Sequence, residues 1–347
     1  MASKSQFPWI ILAIIVMLLV ALAPLFLSSP GNTPVSAIDD SRVVRDFEQW
    51  LGDDLPGREV VRVGVYILSV GNLDTRTGSY AMDFFLNFQC ETPPCDPTQF
   101  DIMNAASRQI DDQTSEEDRG MAFYYRIRAN LQNNLDLKEF PFDEHTLIIE
   151  LEDKNKTSDA YVLVPDPAQS GIDSDVYVAG WSLEPYISGM ETPHEYSVYD
   201  ETYSRVRFAI RIYHPWFSSF MKGLFAAIVI VGVGMLSFLM SESEARDRIS
   251  LTSAALASAI FYHMTLTASV PPVGYLTYAD RFMILQYVFV TASLGVAISL
   301  FLLQRRAADH AADKALSLQI HRVTRWVIPL SWVIAMVVLH VTTIGFS

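Results

Sequence analysis

A helix that crosses a bilayer needs about 20 mostly apolar residues, and four runs of this chain satisfy that: 7–27, 217–240, 282–303 and 326–344. A fifth run, 249–270, is as long but carries Ser250, Thr252, Ser253, Ser258, Thr265 and Thr267 among small alanines. Lipid solvates such a helix poorly, so neighbours must shield it or water must face it. Bracketed by ordinary spans, it has the composition of a pore lining.

Charge is segregated in the same way. The 347 residues are half apolar, yet the net charge is −14. Residues 28–213 hold 33 Asp and Glu against 15 Lys and Arg, so this stretch reads as a water-solvated domain that repels nucleic acid and attracts cations. Lys4 on one flank, and Arg305, Arg306, Lys314, Arg322 and Arg325 in the linker 304–325, place those segments in the cytoplasm. The acidic domain then lies outside, and the expected location is the cell (inner) membrane, crossed several times. The first run reads as an uncleaved anchor. It also reads as a signal peptide with Val35-Ser36-Ala37 as its cleavage site, although Pro24 disfavours cleavage after Ala23.

From residue 59 to 212 the dominant signal is alternation of period two. Val61, Val63, Val65 and Ile67 form one apolar set, and Met82, Phe84, Leu86 and Phe88 a second. Leu147, Ile149 and Leu151 form a third, and Val206, Phe208, Ile210 and Ile212 a fourth. Strands with one buried face, joined by turns such as Gly71-Asn72-Leu73-Asp74, indicate stacked antiparallel sheets. Residues 41–51 have helical spacing, and 96–119 reads as a connecting loop. Cys90 and Cys95 are the only cysteines; a local disulfide and two free thiols both remain open. No metal site or cofactor is expected from them. The seven histidines are scattered and no hydrolase or phosphate-loop pattern appears in a usable context, so an enzyme is not expected.

The run Leu135-Asp136-Leu137-Lys138-Glu139-Phe140-Pro141-Phe142-Asp143, continuing through Glu144-His145-Thr146-Leu147, resembles the signature loop of the pentameric ligand-gated, or Cys-loop, receptor family. Asn133 and Leu147 stand where that family has its two loop cysteines, as in prokaryotic members without the disulfide. Arg211, the segment 247–272 and the segment 275–287 match in order and spacing, so the resemblance covers about residues 59–345. The proline often found midway along the first pore-domain helix is missing, with Gly232 and Gly234 in its place. The resemblance implies an extracellular antiparallel β-sandwich (Ig-like) followed by a four-helix transmembrane bundle, and the N-terminal hydrophobic helix is an addition. The expected division is 1–37 as anchor or signal segment, 38–213 as ligand-binding domain, and 214–347 as pore domain with helices 214–240, 248–270, 275–304 and 322–345.

If Arg248 begins the lining helix, heptad spacing puts Ser250, Ala254, Ala257, Phe261, Met264 and Ala268 on one stripe. Five copies around an axis make rings of each. Phe261 is the expected gate, closing by dewetting; ordinary packing between helices is the competing reading. The acidic Asp247 before a basic residue resembles cation-selective members, with Glu244 as a second selectivity carboxylate and Arg246 and Arg248 snorkelling or pairing with these acids. The resemblance places coupling at Phe140, Pro141, Phe142, Asp143, Arg211, Pro271 and Pro272, with a charged contact between Asp143 and Arg211. It places the agonist site among Tyr161, Tyr186, Tyr196 and Tyr199 on one side, and Phe85, Asn87, Gln89 and Arg126 or Arg128 on the other. Because 152–156 is charged and not aromatic, protons or divalent cations compete with a cationic amine as agonist.

The expected function is therefore a homopentameric, cation-selective ligand-gated channel subunit. Its partners are further copies of itself, the lipid bilayer, a small-molecule or ion agonist and permeating monovalent cations. An anion-selective channel and a non-conducting membrane sensor are the alternatives.

Overall fold

The alternating apolar residues become the inner faces of two sheets. The computed structural model describes residues 57–90, 96–116, 122–268, 270–307 and 311–344. The anchor or signal segment 1–37, the helix expected over 41–51, and Cys95 lie outside the described residues. Among those described, Leu137–Phe142 and the residues from Trp216 onward form one compact unit, and the others form a second.

The second unit is a β-sandwich of eleven described strands: β1 (Glu59–Asp74), β2 (Ser79–Cys90), β3 (Phe100–Ile102), β4 (Ala105–Glu116), β5 (Ala122–Gln132), β6 (Glu144–Asp153), β7 (Tyr161–Pro165), β8 (Gly171–Ile172), β9 (Ser182–Leu183), β10 (Ser188–Tyr196) and β11 (Glu201–Tyr213). One sheet has the order β4-β5-β2-β1-β7 with β8 beside β1, and the other runs β10-β11-β6-β3 with β9 beside β11. The four alternating sets named from the sequence are all buried in one shared core. Successive side chains of a strand point to opposite faces, so a single apolar face per strand suffices to seal two sheets together. The sandwich is not wholly antiparallel. β7 and β8 pair with β1 in parallel, because the chain leaves β6 in one sheet and crosses to the other instead of turning back.

Two local expectations change. The acidic stretch read as a loop contains β3 and β4. β4 is an edge strand with Ala106, Ser107, Gln109, Ile110 and Asp111 exposed and irregular register at Ala105/Ser107 and Ile110/Asp112. Bulges break the alternation on which sequence reading depends, while backbone pairing to β5 holds the strand. The turn expected at Gly71–Asp74 lies further on: β1 continues through Asp74, and residues 75–78 make the turn. The Asp74 carboxylate accepts from the Arg76 amide at 2.9 Å and its carbonyl from the Gly78 amide at 2.9 Å. Cys90 is disulfide-bonded, which closes the alternative of a free thiol there.

The first unit holds α1 (Trp216–Gly223), α2 (Phe225–Met235), α3 (Ala245–Thr267), α4 (Tyr278–Ala307) and α5 (Ala311–Thr343) around one apolar cluster. Ala245–Thr267, Tyr278–Arg306 and Ala312–Thr343 are each long and apolar enough to span a membrane. Trp216–Gly223 and Phe225–Leu239 pass the same test only together, bent by 48°. The bend falls at Leu224, not at the glycines 232 and 234. The linker expected over 304–325 is mostly helix, since α4 extends to Ala307 and α5 begins at Ala311. Its Ala, Lys, Leu and Gln residues are good helix formers, and Arg305 and Arg306 suit the C-terminal end of α4. A buried hydrogen bond from Trp332 Nε1 to Gln286 Oε1, 2.7 Å, joins α5 to α4.

Gly78 has φ +67°, and a Cβ there would lie 1.9 Å from the Asn133 carbonyl oxygen. Gly78→Ala is expected to destabilise the sandwich by at least about 1 kcal/mol, read as a lowered thermal midpoint of the solubilised protein.

Candidate functional site

The signature loop acts as a cap. The first amides of an α-helix have no intrahelical acceptor. At the start of α4, the Tyr278 amide donates to the Lys138 carbonyl at 2.7 Å and the Ala279 amide to the Phe140 carbonyl at 3.0 Å. The third, Asp280, donates to Thr277 Oγ1 at 3.2 Å, while Asp280 Oδ2 accepts from the Thr277 amide at 2.9 Å. This reciprocal capping box explains why α4 begins at Tyr278, three residues later than expected. The loop is held from other sides as well. The Leu137 amide donates to the Tyr275 hydroxyl at 3.0 Å, Lys138 lies over the Tyr275 ring, and Phe142 meets Tyr278 and His340 edge-on. Pro141 presses on Gly223, the last residue of α1, where a Cβ would fall 2.6 Å from Pro141 Cγ. Phe140, Pro141 and Phe142 thus all lie in the helical unit. Pro271 is half-buried and Pro272 exposed in the segment leading to α4.

Asp143 and Arg211 do not meet. β6 and β11 pair with Arg211 opposite Thr146, so Arg211 shares a face with Glu144, and it pairs with Glu144 and with Glu184 at 3.5 Å. Asp143 points to the opposite face, where its carboxylate lies 2.7 Å from His145 Nε2, both side chains 2% exposed. Strand parity excludes the expected pair. Trp181 stacks on His214 at 3.6 Å and approaches His145. Where the family's disulfide is missing, Asn133 Nδ2 donates to the Thr146 carbonyl at 2.9 Å, closing the base of the loop without sulfur.

On α3, Ser250, Ala254, Ala257, Phe261, Met264 and Ala268 are all exposed, Phe261 by 70% and Met264 by 65%. Arg248, Thr252, Ala255, Ala259 and Leu266 are buried on the other side. Arg248 therefore does not lead the exposed stripe. It is 1% exposed and donates to the Met240 carbonyl, with His321 Nδ1 at 3.0 Å. Arg246 lies over the Phe301 ring. Asp247 is exposed in the first turn of α3; Glu244 is exposed and its carboxylate accepts from the Ser241 amide at 2.9 Å.

The agonist residues fall into separate groups. Phe85 is exposed with Arg126 over its ring, and Arg126 pairs with Asp83 at 3.0 Å, holding that carboxyl below its ordinary range. Arg128 pairs with Asp83 and Asp111. Gln89 is half-buried, and Asn87 is buried, donating to Gln169 Oε1 at 3.1 Å, which removes it from the expected wet face. Tyr161 is 1% exposed in the sandwich core and is corrected from ligand contact to packing residue; its strand is buried along its whole length. Tyr186 and Tyr199 are exposed. The β10–β11 hairpin sets Tyr196 against His194 and Tyr203. The Tyr196 hydroxyl donates to Glu152 at 3.0 Å and accepts from Arg205, whose guanidinium is buried against Glu152 at 2.8 Å.

No protein-family model matches the chain. A proton-gated ion channel of Gloeobacter violaceus is 21% identical over 309 residues, 82% of this chain and 84% of that protein. That similarity, over most of both chains, agrees with the resemblance to the pentameric ligand-gated channels. An ion channel, not an enzyme, is what this chain resembles across the sandwich and the helices together.

Several of these contacts were not read from the sequence. The Thr277-x-x-Asp280 spacing was a legible capping signal. His145, Tyr262, His263 and Tyr287 offered no signal, since their partners are remote in sequence.

Gly223→Ala is expected to lower the thermal midpoint of the solubilised protein by several degrees. Gly232→Ala, whose added Cβ meets nothing nearer than 3.9 Å, should leave it unchanged or raised.

Proposed function

We propose that the chain forms a homopentameric, cation-selective channel lined by the exposed stripe of α3 and opened by binding at the β-sandwich. The observation that carries this reading is the two-sidedness of α3. One face packs into the helical core, and the opposite face leaves a ring-forming series of small, hydroxyl and apolar residues open. Counting α1 and α2 as one bent span completes a four-helix pore domain over 214–347, behind a ligand-binding domain over 38–213. The charge pattern orients the sandwich outside the inner membrane. Phe261 is the gate, since five aromatic rings at one level of a narrow pore exclude water. Asp247, with Glu244 beside it, supplies carboxylates at the inner mouth, and the acidic outer stretch enriches cations.

The loop Phe140–Phe142 is chain-continuous with β5 and β6 while it caps α4. It is the natural carrier of a binding signal from the sandwich, and Asp143, Arg211, Pro271 and Pro272 are the further coupling candidates. For the agonist, the Gloeobacter relative points to protons. Glu191 on β10 suits that role. Burial raises its carboxyl above the ordinary range, against the lowering effects of the Ser204 hydrogen bond and the Arg58 charge. A carboxyl whose folded pKa is raised favours the folded, protonated form as pH falls through that value. The penalty returns as pH rises and the group ionises. Phe85, Arg126, Tyr186, Tyr196 and Tyr199 remain candidates for a small-molecule site.

The deciding experiment is recording from purified protein in planar bilayers under asymmetric salt. Acid-evoked currents should reverse near the cation equilibrium potential, and Asp247→Asn should weaken that preference. Reversal that tracks chloride would establish the anion-selective alternative, and silence across pH, calcium and amine screens the non-conducting sensor. Glu191→Gln should flatten the acid response and move half-activation by about threefold or more in proton concentration; an unchanged curve removes Glu191 from sensing.

A further inference from the structure

Two consecutive residues of α3 tie its outer half to different neighbours. His263 Nδ1 lies 2.9 Å from the Tyr287 hydroxyl and Nε2 lies 3.1 Å from Asp280 Oδ1, both on α4. Tyr262 turns the other way. Its hydroxyl lies 3.0 Å from the Lys222 carbonyl oxygen and 3.0 Å from that of Gly223. These are the last two carbonyls of α1, at the 48° bend before α2. Terminal carbonyls of a helix lack intrahelical donors and need others.

From this geometry we infer that the Tyr262 hydroxyl is a positioning group, coupling the bend between α1 and α2 to the setting of the pore stripe. The inference rests on α3 lining the pore. Were α1 and α2 to straighten into one helix, the Lys222 and Gly223 carbonyls would accept from the amides four residues on, Ala226 and Ala227. In the bent form the same oxygens accept from the Tyr262 hydroxyl, which favours the bend over the straight pattern. Pro141 of the signature loop presses on Gly223 at this bend, which places the loop in a position to bias the choice. Release of Tyr262 removes the tie of this half of α3 to α1 while His263 keeps its tie to α4. A turn of the helix about its axis then moves Phe261, the adjacent residue, off the pore axis.

Tyr262→Phe removes the hydroxyl and keeps the ring. In bilayer recordings it is expected to shift the half-activating proton concentration about fivefold or more, with single-channel conductance unchanged, as for the loss of a hydrogen bond in each subunit. A shift under about twofold overturns the inference. A second readout needs no current: the rate at which an aqueous thiol reagent modifies Phe261→Cys in purified protein, with and without Tyr262→Phe. A rate change of about fivefold supports the tie, and equal rates overturn it. If the wild type passes no current but the labelling rate still depends on Tyr262, the channel function falls while the tie stands.

Discussion

The closure of the α4 N-terminus by the carbonyls of another segment is the interaction on which the helical unit depends. Helix amides are obligatory donors, and one left unpaired among apolar side chains is costly. Lys138 and Phe140 supply the oxygens, and Thr277 and Asp280 complete the set. Because these oxygens belong to the backbone, the cap constrains the path of the loop and not merely its composition. Phe142 against Tyr278 and His340, and Pro141 against Gly223, then follow from where that path must run. A loop that leaves the sandwich strands and returns to them is thereby committed to the helices.

A second constraint is the division of α3 into a packed and an open face. Small residues let it approach its neighbours closely, with a Cβ on Gly234 only 2.9 Å from Ala255. Its threonine hydroxyls return to its own backbone, as Thr252 does to the Arg248 carbonyl at 2.7 Å and Thr265 to that of Phe261 at 3.0 Å. Buried Arg248 anchors the inner end through the Met240 carbonyl and His321, whereas Tyr262 and His263 hold the outer half. The helix is fastened at both ends while its stripe stays open, an arrangement suited to small rotations about fixed points.

The sandwich was legible to the extent that its strands bury one face. Val61 to Ile67 and Val206 to Ile212 announce themselves because burial repeats every second residue. β4 did not, since an edge strand with bulges carries no such repeat, and the parallel placement of β7 depends on a crossover that local sequence does not encode. Among the residues singled out, the exposed face of α3 followed from helical period once the start of the helix was set by the resemblance. The partners of Asp143 and Arg211 were not. Adjacent and opposed positions look equivalent in sequence, and only the register of β6 against β11 sorts them onto different faces.

Sequence by itself determined the segregation of the chain into an acidic, alternating part and an apolar part, the long apolar runs, the hydroxyl- and alanine-rich composition of 249–270, and the family resemblance. These follow from periodicity and solvation, which are properties of short windows. Only the tertiary structure decided that the signature loop caps α4, that the bend lies at Leu224, that Tyr161 is core, and that Tyr262 reaches the α1 carbonyls. Each of those is a hydrogen bond or contact between residues far apart along the chain. Such a partner is chosen by which groups the fold leaves unsatisfied, and no local pattern records that.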